Sequence, residues 1–287
     1  MNTERLVKRI LALSRPLKPQ PTDIQPRLLP LTGIKTVLFD IYGTLFISAA
    51  GDIGVDMAVD NDQAFRAALQ AVGLPPKGNA GLLKEAIETD HRRKRAQGID
   101  FPEVDIVQIW RRVVTVLMPG VVLTHDQLQQ LALEYELRSN PVWPMPGLEE
   151  MLEGLKSRGI KMGLISNAQF YTPLLLEAFL KKPLKAIGFD EDLCIFSYRL
   201  GEAKPSQRLF QQAVSRLAEL GIKPAEVMYL GNDKLKDIWP AAHAGLVTAL
   251  FAGDARSLRL REEDPRCQRL QPDLIVKYLP ELLQVTV

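Results

Sequence analysis

Cysteine is scarce: the 287 residues contain two, Cys194 and Cys267, at a spacing that suits neither a metal cluster nor a disulfide framework. Thiols used so sparingly are expected to stay reduced, which points to a cytoplasmic setting. Histidine is nearly absent too. The three copies, His91, His125 and His243, are scattered and argue against a histidine metal centre. Neither charge dominates: 36 basic against 34 acidic residues leave a net charge of +2. That balance gives no global field for nucleic acid and no acidic tail. No apolar run is long enough to cross a bilayer as a helix, so no membrane role is expected. A Gly-x-Ser-x-Gly elbow, the mark of one large class of serine hydrolases, is missing as well. What is present is 46% hydrophobic and 24% charged, an ordinary globular composition at a length suited to one large domain or a core with an inserted module.

The first 33 residues stand apart. "LVKRILAL" (6–13) has the spacing of a short amphipathic helix, and Pro16, Pro19, Pro21, Pro26 and Pro30 follow it. The segment lacks the long apolar centre of a secretory signal. It reads as an extension and Pro-rich linker that packs on its own or a neighbouring subunit, which leaves a homo-oligomer open.

After residue 33, short apolar runs recur: "IKTVLFD" (34–40), "IKMGLIS" (160–166), "LCIFS" (193–197), "VMYLGND" (227–233), "LVTALFAG" (246–253) and "DLIV" (273–276). Near-continuous apolar character over four to eight residues suits strands buried on both faces of a parallel sheet. Helical patterns separate most of them. "GLEEMLEGLKSRG" (147–159) carries an apolar stripe and a terminal Gly159, and "PSQRLFQQAVSRLAELG" (205–221) opens on Pro205 and closes on Gly221. This alternation predicts an α/β fold with a Rossmann-like, doubly wound parallel sheet. Residues 47–143 break the rhythm with four helical patterns, "NDQAFRAALQAVG", "NAGLLKEAIETDHRRKRAQG", "VDIVQIWRRVVTVLM" and "THDQLQQLALEYELRSN", and no convincing strand. An α-helical cap domain inserted at 47–143 into a core of 34–46 and 144–287 is the expected organisation. Trp110, Val113 and Leu117 would form its interior, and the basic run 91–95 reads as a solvated helix face.

In an open parallel sheet, ligands bind at the carboxyl ends of the strands. Those ends here supply Asp40, Ser166 with Asn167, Ser197 and Asp233, with Asp237 one turn later and Lys204 just before the helix at Pro205. Clustered carboxylates repel one another unless a cation is present. Oxygen-only ligands in small number suit Mg2+. One carboxylate is then free to act as a nucleophile, with Lys204 and Ser166 on the group it attacks.

"DIYGTL", "LISN", "GEAKP" and "LGNDKLKD" resemble, in order, the four motifs of the haloacid dehalogenase superfamily of hydrolases, and the insert lies where that family carries its cap. The resemblance implies Asp40 as nucleophile, Ser166 holding the transferred group and Lys204 stabilising it. Asp233 and Asp237 would serve Mg2+ together with Asp40 and the backbone carbonyl of Tyr42. Tyr42, Thr44 and Asn167 would lie against the substrate. It further implies a phosphatase acting on a small phosphorylated metabolite through an aspartyl-phosphate.

Tyr42 departs from the pattern. The family's phosphatases place a second Asp there as acid and base, whereas a phenol titrates near pH 10. The family's dehalogenases carry Tyr at this place and displace halide from carbon without metal. The fourth motif points the other way, because acids at a sheet edge without a cation are costly. Arg66, Arg92, Arg93 and Arg95 are candidates for the cap arginine that would receive halide. A metal-free carbon–halogen hydrolase is therefore the alternative, and a catalytically weak relative that binds a ligand or partner is a third reading.

Overall fold

The computed structural model describes residues 3–49 and 60–286; the stretch 50–59, at the start of the expected cap, lies outside the described residues. In chain order the elements are α1 (Thr3–Leu13), β1 (Thr36–Phe39), β2 (Phe46–Ser48), α2 (Asn61–Ala71), α3 (Ala80–Arg95), α4 (Ile106–Leu117), α5 (His125–Ser139) and β3 (Val142–Pro144). There follow α6 (Leu148–Ser157), β4 (Lys161–Ser166), α7 (Thr172–Leu180), α8 (Leu184–Ile187), β5 (Phe189–Phe196), α9 (Ser197–Leu200), α10 (Gln207–Glu219) and β6 (Val227–Gly231). The chain ends with α11 (Trp239–His243), β7 (Val247–Phe251), α12 (Pro265–Gln268), β8 (Leu274–Val276) and α13 (Leu282–Val285).

Six strands form one parallel sheet in the order β5-β4-β1-β6-β7-β8. All six fall where the apolar runs predict them. Period-2 alternation divides their side chains between two faces. Leu38, Ile165 and Tyr229 pack with Leu209, Phe210 and Ala213 of α10, while Val37, Phe39 and Leu164 join Leu152 of α6 and Leu175 of α7. Strand β1 lies between β4 and β6, with Phe39 opposite both Leu164 and Leu230. Chain order reverses across it, so the crevice of this sheet opens at the carboxyl end of β1. Asp40 is the next residue.

The four helical patterns of the insert appear as α2–α5. Their interior is aromatic: Trp110 stacks on Phe65 at 5.2 Å and meets Tyr135 edge-on at 5.5 Å. Asp90 explains part of the basic run, since Arg93, Lys94 and Arg112 all pair with it. One feature differs from expectation. The chain enters and leaves the insert through an antiparallel ribbon, β2 against β3, with Ile47 opposite Trp143. Each strand is three residues long and β3 ends on Pro144, so no periodicity announces them.

The N-terminal segment packs on its own subunit. Leu6 and Ile10 of α1 are buried in the main core. Arg9 grips the fully buried Glu134 of α5, which Arg138 also holds. The Pro-rich stretch then runs over the far side of the sheet. Thr22 donates to the Ala252 carbonyl at 2.6 Å, and Arg27 exchanges backbone bonds with Ile275 at 2.9 and 3.0 Å. It thereby covers the β8 edge, which would otherwise present unpaired backbone groups. Cys194 and Cys267 are free and buried, and burial pushes the Cys194 thiol up to about 12. Among the described residues, no helix is long and apolar enough to cross a membrane.

Candidate active site

The parallel register brings separate motifs to one point. The Asp40 amide donates to the Leu230 carbonyl at 2.9 Å, which fixes the loop after β1 against β6. Its carboxylate Oδ1 then accepts from Ser166 Oγ at 2.9 Å and from Lys204 Nζ at 2.6 Å. Lys204 lies in the loop before α10 and is 5% exposed. Its ammonium also donates to Asp237 Oδ1 at 2.5 Å and to the Tyr229 hydroxyl at 3.1 Å. Burial works against a charge on Lys204, but Asp237 and Asp40 outweigh it and raise its pKa above that of an ordinary lysine. Asp237 responds oppositely: burial pushes it up to about 6, against the pull of Lys204.

Backbone geometry holds the group in place. Asn167 clasps the Lys204 backbone, accepting from its N–H at 2.6 Å and donating to its carbonyl at 3.3 Å. Gly43 turns the chain at φ +82°, and a Cβ there would meet Ser257 Cβ at 2.5 Å and Asn232 Nδ2 at 2.6 Å. Only glycine suits both the conformation and the space. Thr44 is fully buried; it donates to Asn232 Oδ1 at 3.1 Å and lies outside the cavity lining. Residues Lys234–Ile238 form a π turn, a distortion common at functional sites. That turn returns Asp237 to Lys204, while Asp237 Oδ2 accepts from the Asp233 amide at 2.9 Å.

A cavity of about 400 Å³ opens above Asp40. Asp40, Tyr42, Asn167, Lys204, Asn232, Asp233 and Asp237 line it, together with residues no motif indicated. Glu103, Glu136 and Asn140 come from the insert or its edges, Gln169 and Tyr171 from the loop before α7, and Ser257 and Arg259 from the loop after β7. The strand-end rule already covered that last loop, because β7 is one of the six runs. The insert residues carried no signal in sequence. Tyr42 donates to or accepts from Thr172 Oγ1 at 2.9 Å. Burial, reinforced by Glu136, holds its phenol well above the ordinary range, so it is no base at neutral pH. Arg66, Arg92, Arg93 and Arg95 are all absent from the lining.

The donor set can be tested against Mg2+. Asp40, the Tyr42 carbonyl and Asp233 offer hard oxygens, the type of ligand this ion takes. Both side-chain bonds to Asp40 fall on Oδ1. Asp237 is committed to Lys204, Tyr229 and the Asp233 amide. Asn232 is likewise engaged through both ends of its amide, by Thr44 and by the Ser257 carbonyl at 2.5 Å. Asp233 caps the π turn through Oδ1 and meets Arg261 Nη2 at 2.7 Å through Oδ2. Among the described residues, no group of three or more His, Cys, Asp or Glu side chains is arranged to hold a metal ion. Asp40, the Tyr42 carbonyl and Asp233 are thus of the donor type that suits Mg2+ but are not gathered as a metal cluster, and the Arg261 guanidinium stands on one of the acids.

Residues 34–245 match the model of the haloacid dehalogenase-like hydrolases. The chain belongs to that family. It is a hydrolase, then, and its relatives carry both phosphatase and dehalogenase names. It is 29% identical over 142 residues to a glyceraldehyde 3-phosphate phosphatase of Methanopyrus kandleri, a match covering 50% of this chain and 56% of that protein. The chain thus spans little more than half the length of that relative. A phosphoglycolate phosphatase of Xylella fastidiosa is 26% identical over 254 residues, covering 87% of this hydrolase and 91% of the relative. The fold is similar to that of a 2-haloacid dehalogenase from Pseudomonas syringae pv. Tomato, with a TM-score of 0.55 and 21% identity over 88% of this chain and 97% of that one.

Proposed function

We propose that this hydrolase is a phosphatase acting on a small phosphorylated metabolite, with Asp40 as nucleophile. The observation that carries the reading is the shared Asp40 Oδ1, bonded at once to Ser166 and Lys204 beside two further acids at the mouth of a cavity. Asp40 would attack phosphorus and form an acyl-phosphate as the ester P–O bond breaks and the alkoxide leaves with the electron pair, taking its proton from water. Water would then cleave the new P–O bond, releasing phosphate and restoring the carboxylate. Ser166 and Lys204 would hold the phosphoryl oxygens through this exchange. Asp40, the Tyr42 carbonyl and Asp233 would hold Mg2+, which would offset the charge of the phosphate when bound. Residues 47–143 would act as the cap and exclude water from the cavity. Low cysteine use supports a cytoplasmic setting for the reaction.

Two observations favour a second reading, a metal-free carbon–halogen hydrolase: Tyr42 occupies the acid/base position, and Arg261 sits on Asp233. Against it, no candidate arginine of the insert reaches the cavity. One assay separates the two. Wild type and Asp40→Asn are offered p-nitrophenyl phosphate, a panel of metabolite phosphates and 2-chloropropionate, with Mg2+ and with EDTA. Phosphate release that needs both Mg2+ and Asp40 is the expected result. Halide release that survives EDTA would replace the phosphatase reading. Ligand binding without turnover would make the chain a binding relative.

A further inference from the structure

The charges around the cavity are distributed unevenly. Lys204, Lys236 and Arg259 line it from the core side. Arg259 is tied to the backbone of the fourth motif: its amide donates to the Asn232 carbonyl at 3.0 Å and its carbonyl accepts from the Lys234 amide at 2.9 Å. Lys204 stands at the phosphoryl end, on Asp40, and the other two belong to the fourth motif and the loop bonded to it. The wall of Glu103, Glu136 and Tyr171 contains no cation among the described lining residues.

That wall holds two carboxylates in a field of neutral polar groups. Glu136 accepts from the Tyr171 hydroxyl at 3.0 Å and from Asn140 Nδ2 at 3.0 Å. Glu103 accepts from Ser197 Oγ at 2.6 Å and Gln169 Nε2 at 3.1 Å. Lys94 lies behind it, on the Glu103 carbonyl and on Asp90, and does not line the cavity. Neither acid is paired in the cavity with a cation that a substrate carboxylate could share. A carboxylate on the leaving group would lose its hydration beside two acids whose own charge burial already opposes, whereas a hydroxyl would find an acceptor on Glu136 and a donor on the Asn140 amide.

We propose that the cavity selects a phosphomonoester whose leaving group carries hydroxyls and no carboxylate, a polyol or sugar monophosphate, with Glu136 as the residue that rejects the acid. This rests on the phosphatase reading and deepens it. It also separates this chain from a relative named for phosphoglycolate, an ester whose leaving group carries a carboxylate.

The test is a matched pair. Glycerol 3-phosphate and 3-phosphoglycerate differ chiefly in a CH2OH against a carboxylate, so kcat/KM for the two reads that one group. Wild type is expected to favour glycerol 3-phosphate by about tenfold or more, the effect of roughly one unit of like-charge repulsion. Glu136→Gln is expected to cut that ratio at least threefold, chiefly by raising kcat/KM for 3-phosphoglycerate. A wild-type ratio of one or below would overturn the proposal and leave the phosphatase reading intact. Equal losses on every ester in Glu136→Gln would overturn it as well, making Glu136 a catalytic or structural group. Absence of turnover on both esters and on p-nitrophenyl phosphate would remove both readings together.

Discussion

Replacing Lys204 with methionine tests the electrostatics of the site directly. The ammonium bridges Asp40 Oδ1 at 2.6 Å and Asp237 Oδ1 at 2.5 Å, and all three groups are buried. Those oxygens can be no more than roughly 5 Å apart, where two unit charges at an effective dielectric of about 20 repel by about 3 kcal/mol. Asp237 already titrates at about 6 with the lysine in place. Without it, Asp237 loses the attraction that offsets burial and the charge of Asp40, and its folded-state value rises further, by about two units on the scale of that now uncompensated repulsion. A carboxylate whose pKa is raised in the folded state binds more protons folded than unfolded, so stability falls as pH rises towards the folded pKa. In wild type that fall ends near pH 6, and in the variant it continues for about two units more. Lys204→Met should therefore lose stability relative to wild type as pH rises, by about 3 kcal/mol from about pH 5.5 to about pH 8.5. Urea unfolding in EDTA at the two pH values measures it. A deficit that stays constant, or shrinks as pH rises, would refute the idea that Lys204 is the counterion of two buried acids.

Gly43→Ala forces a Cβ into Ser257 and Asn232 at positive φ and should cost about 2–4 kcal/mol in urea unfolding, with Ser257→Gly recovering part. Tyr42→Phe removes one bond to Thr172; it should cost about 1 kcal/mol and leave turnover within about threefold, because the phenol is no base. A loss of a hundredfold would give the hydroxyl a chemical role. Arg261→Gln lifts a guanidinium from Asp233 and should tighten Mn2+ binding several-fold by electron paramagnetic titration; unchanged affinity would place the ion elsewhere.

Much of this architecture is written in local pattern. Each of the six core strands is a buried apolar run, Asp40 and Ser166 end two of them, and Lys204 immediately precedes the helical pattern that Pro205 opens, so the sheet and that trio could be read from the sequence. The ribbon of β2 and β3 could not, since three residues carry no period. The polar wall was hidden for a different reason. Glu136 sits on an amphipathic helix whose polar face looks solvated in sequence, and only the packing of α5 against the loop of Tyr171 turns it to the cavity. The engagement of Asp233 by Arg261 was equally invisible, because 28 residues separate partners joined only by the return of β7.

The most direct measurement is a search for the covalent intermediate. Wild type and Asp40→Asn are mixed with p-nitrophenyl phosphate and Mg2+, quenched in acid within the first turnover, digested and weighed. A phosphoryl group on the wild-type peptide containing residue 40, with none on the variant and no phosphate release by it, is the predicted result. Undiminished phosphate release by Asp40→Asn, with no adduct in either protein, would contradict the account at its centre.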